Sequence, residues 1–186
     1  LNEKQNNYID IMKISADNLK NIIDDVLDFA KIEANKIDIT NSNFNLYQLI
    51  NQSYLQFKTI AENKQIKFDA DIDNNLNKSF YCDNVKIKQI LNNLISNAIK
   101  FTQKGKVNII VKQLNIENNF AIVKFIISDT GIGIKNEDKE KIFDSFQQLN
   151  SSPNKEHQGT GLGLAIAKKL IELLGSKIYF ESEYLK

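Results

Sequence analysis

Residues 8–33 constrain the fold more than any other stretch, because they put a broad apolar stripe on one long helix. Tyr8, Met12, Leu19, Ile22, Val26 and Phe29 recur along one seam at helical period, with Ser15 filling the remaining position. Ile11, Ile23, Leu27 and Ala30 widen the stripe, while Lys20, Asp24, Asp25 and Lys31 lie off it. So much apolar surface must be covered by something. Two arrangements are open. The helix packs on its own domain, or it belongs to a helical-bundle stalk completed by another helix or another chain.

The rest of the chain reads as alternating helices and strands. Residues 36–45 are polar, with Asn-Ser-Asn at 41–43, and read as a linker. Residues 46–61 are helical again, with apolar positions at Leu46, Leu49, Ile50, Leu55, Phe57 and Ile60. Residues 65–70 alternate as a short strand does. Asp83 is suited to cap a helix running to about residue 100. Strand-like runs follow at 106–114 and 120–128, with Asn118 and Asn119 marking the turn between them. Residues 135–143 look helical, and 177–181 look like a strand. Residues 161–174 read as a helix with Gly175 just past its end. The segment 147–159 is polar, holds the only Pro and the only His, and is expected to move.

Composition narrows the class. At 186 residues, 42% hydrophobic and 25% charged, the chain can build a packed core. A net charge of +1 favours neither nucleic acid nor a membrane surface. All 24 of the Lys+Arg residues are Lys, so any phosphate contact must come from Lys, backbone N–H groups or hydroxyls. Cys82 is the single cysteine, which excludes an internal disulfide and a cysteine zinc cluster. No apolar run approaches the ~20 residues that span a bilayer. The first residue is Leu, and we read the chain as a piece of a longer protein.

Four clusters carry possible chemistry. The first is Asn-Leu-Ile-Ser-Asn-Ala-Ile-Lys-Phe-Thr at 93–102. Asn93 and Asn97 share a helix face, with Lys100 close to it. Two carboxamides and an ammonium suit a Mg²⁺–phosphate group, although two exposed Asn in an Asn-rich chain would look the same. The second is Asp129-Thr130-Gly131-Ile132-Gly133 at a strand end. Its carboxylate can accept from an exocyclic amine, and its glycines let a flat ring approach the backbone; a tight turn is the plainer alternative. The third is Gly159-Thr160-Gly161-Leu162-Gly163-Leu164 opening a helix, where free N–H groups and the helix dipole attract an anion. It matches neither the dinucleotide fingerprint nor a Walker loop. The fourth is Phe143 and Phe146, which anchor a loop or hinge a lid.

In that order and spacing, the clusters resemble the N, G1, F and G2 boxes of sensor histidine kinases, members of the GHKL superfamily. The resemblance covers nearly the whole chain. It implies an α/β two-layer sandwich of the Bergerat type, with a mixed sheet of about four or five strands against three helices. It implies ATP and Mg²⁺ as ligands. Asn97 would ligate Mg²⁺ on the ATP phosphates, with Asn93 and Lys100 contacting phosphates. Asp129 would read the adenine amine, with Gly131 and Gly133 lining the base. Gly159, Thr160, Gly161, Leu162 and Gly163 would hold the phosphate side, and residues 147–158 would form a lid.

Other proteins of this fold, such as type II topoisomerases and mismatch-repair ATPases, carry a general-base Glu where Asn93 stands. An amide cannot take a proton from water, which favours phosphoryl transfer over hydrolysis. Residues 1–35 resemble the second helix of a dimerisation and phosphoacceptor hairpin, and 36–186 the catalytic domain without its usual closing strand. The family's phosphoacceptor His precedes an acidic residue on a first helix that this chain lacks. His157 follows Glu156 within the lid-like segment and reads as a solvated residue. The implied partners are a second copy through the first helix and a response-regulator receiver domain; nucleic acid is not expected. The implied location is the cytoplasm, with any membrane attachment outside this chain. A non-catalytic nucleotide-binding or scaffold module of the same fold is the alternative.

Overall fold

The computed structural model describes residues 2–34, 36–147 and 160–184. Helix α1 (Glu3–Glu33) starts at a reciprocal cap. The Gln5 N–H donates to Asn2 Oδ1, and the Asn2 N–H donates to Gln5 Oε1, each at 2.9 Å. Strand β1 (Ser42–Asn45) leads directly into α2 (Leu46–Asn63), which the Asn45 side chain caps. Then come β2 (Lys67–Ile72), a 3-10 turn at Asn74–Leu76, β3 (Ser79–Cys82) and α3 (Asn84–Phe101). Strands β4 (Lys106–Glu117) and β5 (Phe120–Asp129) form a hairpin, and α4 (Gly163–Leu173) is the last element.

The main sheet is mixed, in the order β2-β4-β5, with β2 parallel to β4 and β4 antiparallel to β5. A parallel pair needs a crossover, and the chain makes it through β3 and α3. Asn118 and Asn119 turn the hairpin at φ of 48° and 67°, the positive values that match a two-residue turn to the strand twist. Alternation along β4 sends Val107, Ile109 and Val111 inward to full burial. Ile50 of α2 and Leu91 and Ile95 of α3 share their cluster. A second cluster joins Leu162, Ile166, Ala167 and Leu170 to Ile90 of α3 and Ile32 of α1. The result is the expected α/β arrangement of a mixed sheet with helices.

Three local expectations are corrected, and one left open is sharpened. The five strands fall in two sheets: β1 and β3 pair antiparallel as a separate ribbon, so residues 42–45 are not linker. Residues 135–143 hold only a 3-10 turn at Asn136–Asp138, followed by further turns closed by i→i−3 bonds. With apolar residues only at Ile142 and Phe143 near its end, that stretch has no stripe to bury as a helix. Residues 177–181 form no ladder with the described strands; side chains hold this tail instead. Phe180 meets Phe143 edge-on at 5.6 Å, and the Ile134 N–H donates to Ser182 Oγ at 2.9 Å. Finally, the seam of α1 is mostly uncovered, from Tyr8 at 54% to Val26 at 43% exposed, and only its C-terminal end docks on this domain. Among the described residues no helix is long and apolar enough to cross a membrane.

Candidate functional site

Helix α3 is fixed at both ends, and this sets the direction of its side chains. Asp83, 2% exposed, accepts from the Lys86 N–H at 3.0 Å and from the Thr40 N–H at 2.9 Å. At the other end Thr102 Oγ1 donates to the Ala98 carbonyl at 2.8 Å, and Lys64 Nζ donates to the Ile99 carbonyl at 3.0 Å. Leu91, Ile95 and Ala98 face the core. Asn93 and Asn97 fall on the side that meets α4. Asn93 Nδ2 donates to the Gly163 carbonyl at 3.2 Å. A Cβ placed on Gly163 would lie 3.8 Å from Asn93 Cγ and 3.8 Å from Asn97 Nδ2. The two carboxamides therefore converge on the N-terminus of α4.

No side chain caps α4. Its first-turn N–H groups carry the positive end of the dipole toward the two amides. Thr160 Oγ1 accepts from the Leu162 N–H at 3.2 Å and donates to Asp25 Oδ2 of α1 at 3.0 Å. Gly161 sits at φ 72°, and a Cβ there would come within 3.0 Å of the Phe146 and Gln147 backbone. The Phe146 N–H donates to the Gly161 carbonyl at 3.2 Å, tying the two segments together. Phe146 itself, at φ 64°, meets Phe29 of α1 edge-on at 5.6 Å. Gly159, His157 and the lid-like stretch beyond Gln147 lie outside the described residues.

The end of β5 comes up against the C-terminal end of α3. Asp129 Oδ1 accepts from the Gly131 N–H at 2.8 Å, which folds the loop back under the carboxylate. Gly131 passes so close to the Phe101 carbonyl that a Cβ would lie 2.6 Å away. Gly133, at φ 67°, passes against the Glu183 carbonyl, where no side chain would fit. Lys100 lies at that end of α3, its Nζ 5.1 Å from the Phe101 ring centroid. Burial, and secondarily the Lys64 charge, hold its ammonium below the ordinary lysine range.

Asn93, Asn97, Lys100, Asp129, Gly131, Gly133, Thr160, Gly161 and Gly163 all border one broad, open depression, a trough that runs over much of the domain. At the start of α4 it offers N–H groups and amides suited to an anion with a hard cation. At the end of β5 it offers a carboxylate with a glycine-lined floor. Sequence reasoning missed Asp25, which it placed off the stripe; Asp25 also lines the trough. Burial raises its pKa, against the Thr160 hydrogen bond, with Asp28 and Asp24 adding to the rise. The signal was present: Asp25, Asp28, Phe29 and Ile32 are spaced i, i+3, i+4, i+7 on one face.

A family described as histidine kinase-, DNA gyrase B- and HSP90-like ATPase matches residues 82–186, more than half of the chain. The chain belongs to this ATPase family. Several of its relatives are histidine kinases. Hybrid signal transduction histidine kinase B of Dictyostelium discoideum is 37% identical over 185 residues, 99% of this chain and 9% of that protein. Signal transduction histidine-protein kinase BarA of Escherichia coli K12 is 34% identical over 183 residues, 98% of this chain and 20% of that protein. The chain thus spans a small part of the length of these curated relatives. The structure of full-length ShkA in complex with AMPPNP has a TM-score of 0.75 and 28% identity over 94% of this chain and 35% of that one. Histidine kinase ThkA in complex with response regulator protein TrrA gives 0.68 and 28% over 98% and 49%. Among this family's types, the chain is an ATP-binding domain of the histidine-kinase type.

Proposed function

We propose that this chain binds Mg·ATP and donates the γ-phosphoryl group to a histidine outside it, in two-component signalling. The observation that carries the proposal is the convergence of Asn93, Asn97 and the uncapped N-terminus of α4 in a trough that Asp129 also borders. The Asp129 oxygen not bound to Gly131 accepts from the adenine amine, and Gly131 and Gly133 leave room for the ring. Thr160, Gly161 and Gly163 take the phosphates on backbone N–H groups, with Asn93 and Lys100 beside them; Leu162, expected there from the sequence, is instead fully buried with its N–H on Thr160 Oγ1. Asn97 Oδ1 would ligate Mg²⁺, which would supply charge neutralisation for the phosphates. The donor set fits that ion, because a carboxamide oxygen is a hard ligand. Such a site suits a cation carried mainly by phosphate oxygens, which it would neutralise.

In the transfer, the bond from the γ-phosphorus to the bridging oxygen breaks, a bond to an imidazole nitrogen forms, and ADP leaves with the electron pair. Nothing at Asn93 competes by activating water. Its amide N–H points at the Gly163 carbonyl, a bond that a carboxylate could not make. Residues 1–35 then act as one helix of a dimerisation hairpin, their open seam covered in a homodimer, and 36–186 as the catalytic domain. A response-regulator receiver domain fits as phosphoryl acceptor downstream, given the hybrid-kinase relative and the ThkA–TrrA complex. A cytoplasmic location fits its need for ATP.

Titration with a fluorescent ATP analogue, with and without Mg²⁺, tests this reading. Asn97→Ala should weaken binding about tenfold or more in Mg²⁺ and far less in its absence, from the loss of one charge-assisted contact. Asp129→Ala should weaken binding equally under both conditions. No binding by the unaltered chain, or no effect of Asn97→Ala, would overturn it.

A further inference from the structure

The one Thr160 hydroxyl hydrogen is committed to α1. A hydroxyl donates a single hydrogen, and here it goes to Asp25 Oδ2 at 3.0 Å, while the oxygen accepts from the Leu162 N–H at 3.2 Å. Asp25 is half-buried and lines the same trough as Asn93, Asn97 and Gly163. It does not reach there alone. Asp28 Oδ2 accepts from Gln89 Nε2 of α3 at 2.6 Å, Phe29 meets Phe146 at 5.6 Å, and Ile32 is buried among Leu162, Ile166 and Leu170. These four residues form one continuous docking face on α1, and its N-terminal member puts a carboxylate beside the uncapped start of α4.

We infer that docking of α1 and binding of a nucleoside triphosphate oppose each other at Thr160. Asp25 holds the hydroxyl and sets a negative charge where a polyphosphate must come. This rests on the nucleotide reading above and adds its regulation. A phosphate chain next to Thr160 needs that hydrogen and those N–H groups, and it meets the Asp25 charge in a partly desolvated trough, where repulsion is stronger than in water. The coupling is reciprocal by thermodynamic necessity: whatever lifts α1 tightens triphosphate binding, and the triphosphate lifts α1 by the same factor. An adenosine without phosphates feels none of it.

The test titrates the full chain with adenosine and with a non-hydrolysable Mg·ATP analogue, and follows amide exchange over residues 21–32. Asp25→Asn keeps an acceptor for Thr160, and so keeps α1 docked at least as well, but removes the charge that faces the phosphates; relief of that repulsion outweighs the docking effect, and the analogue should bind about tenfold tighter. Phe29→Ala changes no charge and loosens the docking face; it should also bind the analogue several-fold tighter. Neither variant should change adenosine affinity. In the unaltered chain the analogue should speed exchange at 21–32, and adenosine should not. Equal or weaker analogue binding by Asp25→Asn overturns the inference. So does a gain in Asp25→Asn with none in Phe29→Ala and no change in exchange, which would make Asp25 a local charge rather than part of a docking switch. If the unaltered chain binds neither ligand, the nucleotide reading itself fails and takes this inference with it.

Discussion

The two ends of α1 carry the same helical apolar pattern and meet different fates. Tyr8, Met12 and Leu19 stand 54%, 70% and 58% exposed, while Ile32, on the same helix, is 6% exposed against α4. The difference lies in what surrounds the apolar residues. At the docked end, Asp25 and Asp28 flank Phe29 and Ile32 and find donors in Thr160 and Gln89. Directional bonds fix the register there, and the apolar pair fills a groove. At the open end the seam has width but no polar partner among the described residues to fix one geometry. A surface of that kind suits a partner helix, whereas the docked face suits a particular site on this domain.

The largest expected effect separates the ends by stability. Ile32→Ala removes a nearly buried side chain and should cost about 2–4 kcal/mol in denaturant unfolding, or undock α1 with a smaller global loss. Val26→Ala, six residues earlier and 43% exposed, should stay within about 0.5 kcal/mol in dilute solution. Equal costs would erase the distinction. A smaller effect follows from pH. Because burial raises the pKa of Asp25, the docked state holds the proton more tightly than the free helix does. Docking is therefore strongest below the ordinary carboxylate value of 3.8, weakens as pH climbs from there through the raised value, and is constant above it. Amide exchange at 21–32 measured across that window should show the trend, and Asp25→Asn should abolish it.

Much of the site was legible in the sequence because its parts are local. Asp83 caps α3 by accepting from the Lys86 N–H three residues on, and the positive φ of Asn118 and Asn119 needs only the turn they sit in. The convergence of Asn93 with Asn97 follows from helical spacing alone. The β1–β3 ribbon was hidden because four-residue strands such as Ser-Asn-Phe-Asn carry little pattern, and their pairing spans residues 42–82. Residues 135–143 have helix-forming composition, yet Phe143 is held by Phe180 and Phe146 by Phe29, partners distant in sequence. The role of Asp25 was passed over for the same reason: whether a carboxylate beside a stripe finds a partner depends here on Thr160, 135 residues away.

The smallest effect expected on the isolated chain is also the one that tests what the open end is for. Leu19→Ser replaces a side chain 58% exposed in the middle of the seam. If that seam faces only water, the change should leave unfolding within about 0.5 kcal/mol and leave nucleotide titrations untouched, because no described contact of Leu19 reaches α4 or the trough. If a second copy covers the seam, the same change leaves the dilute monomer alone but places a hydroxyl in an apolar interface. Self-association by sedimentation, measured over a range of protein concentrations, should then weaken about tenfold or more. The two outcomes divide cleanly because stability and association are read on the same variant. A loss of monomer stability instead would mean that α1 folds back on its own domain along its whole length. The docked and open ends would then be one surface, and the contrast between them would be lost.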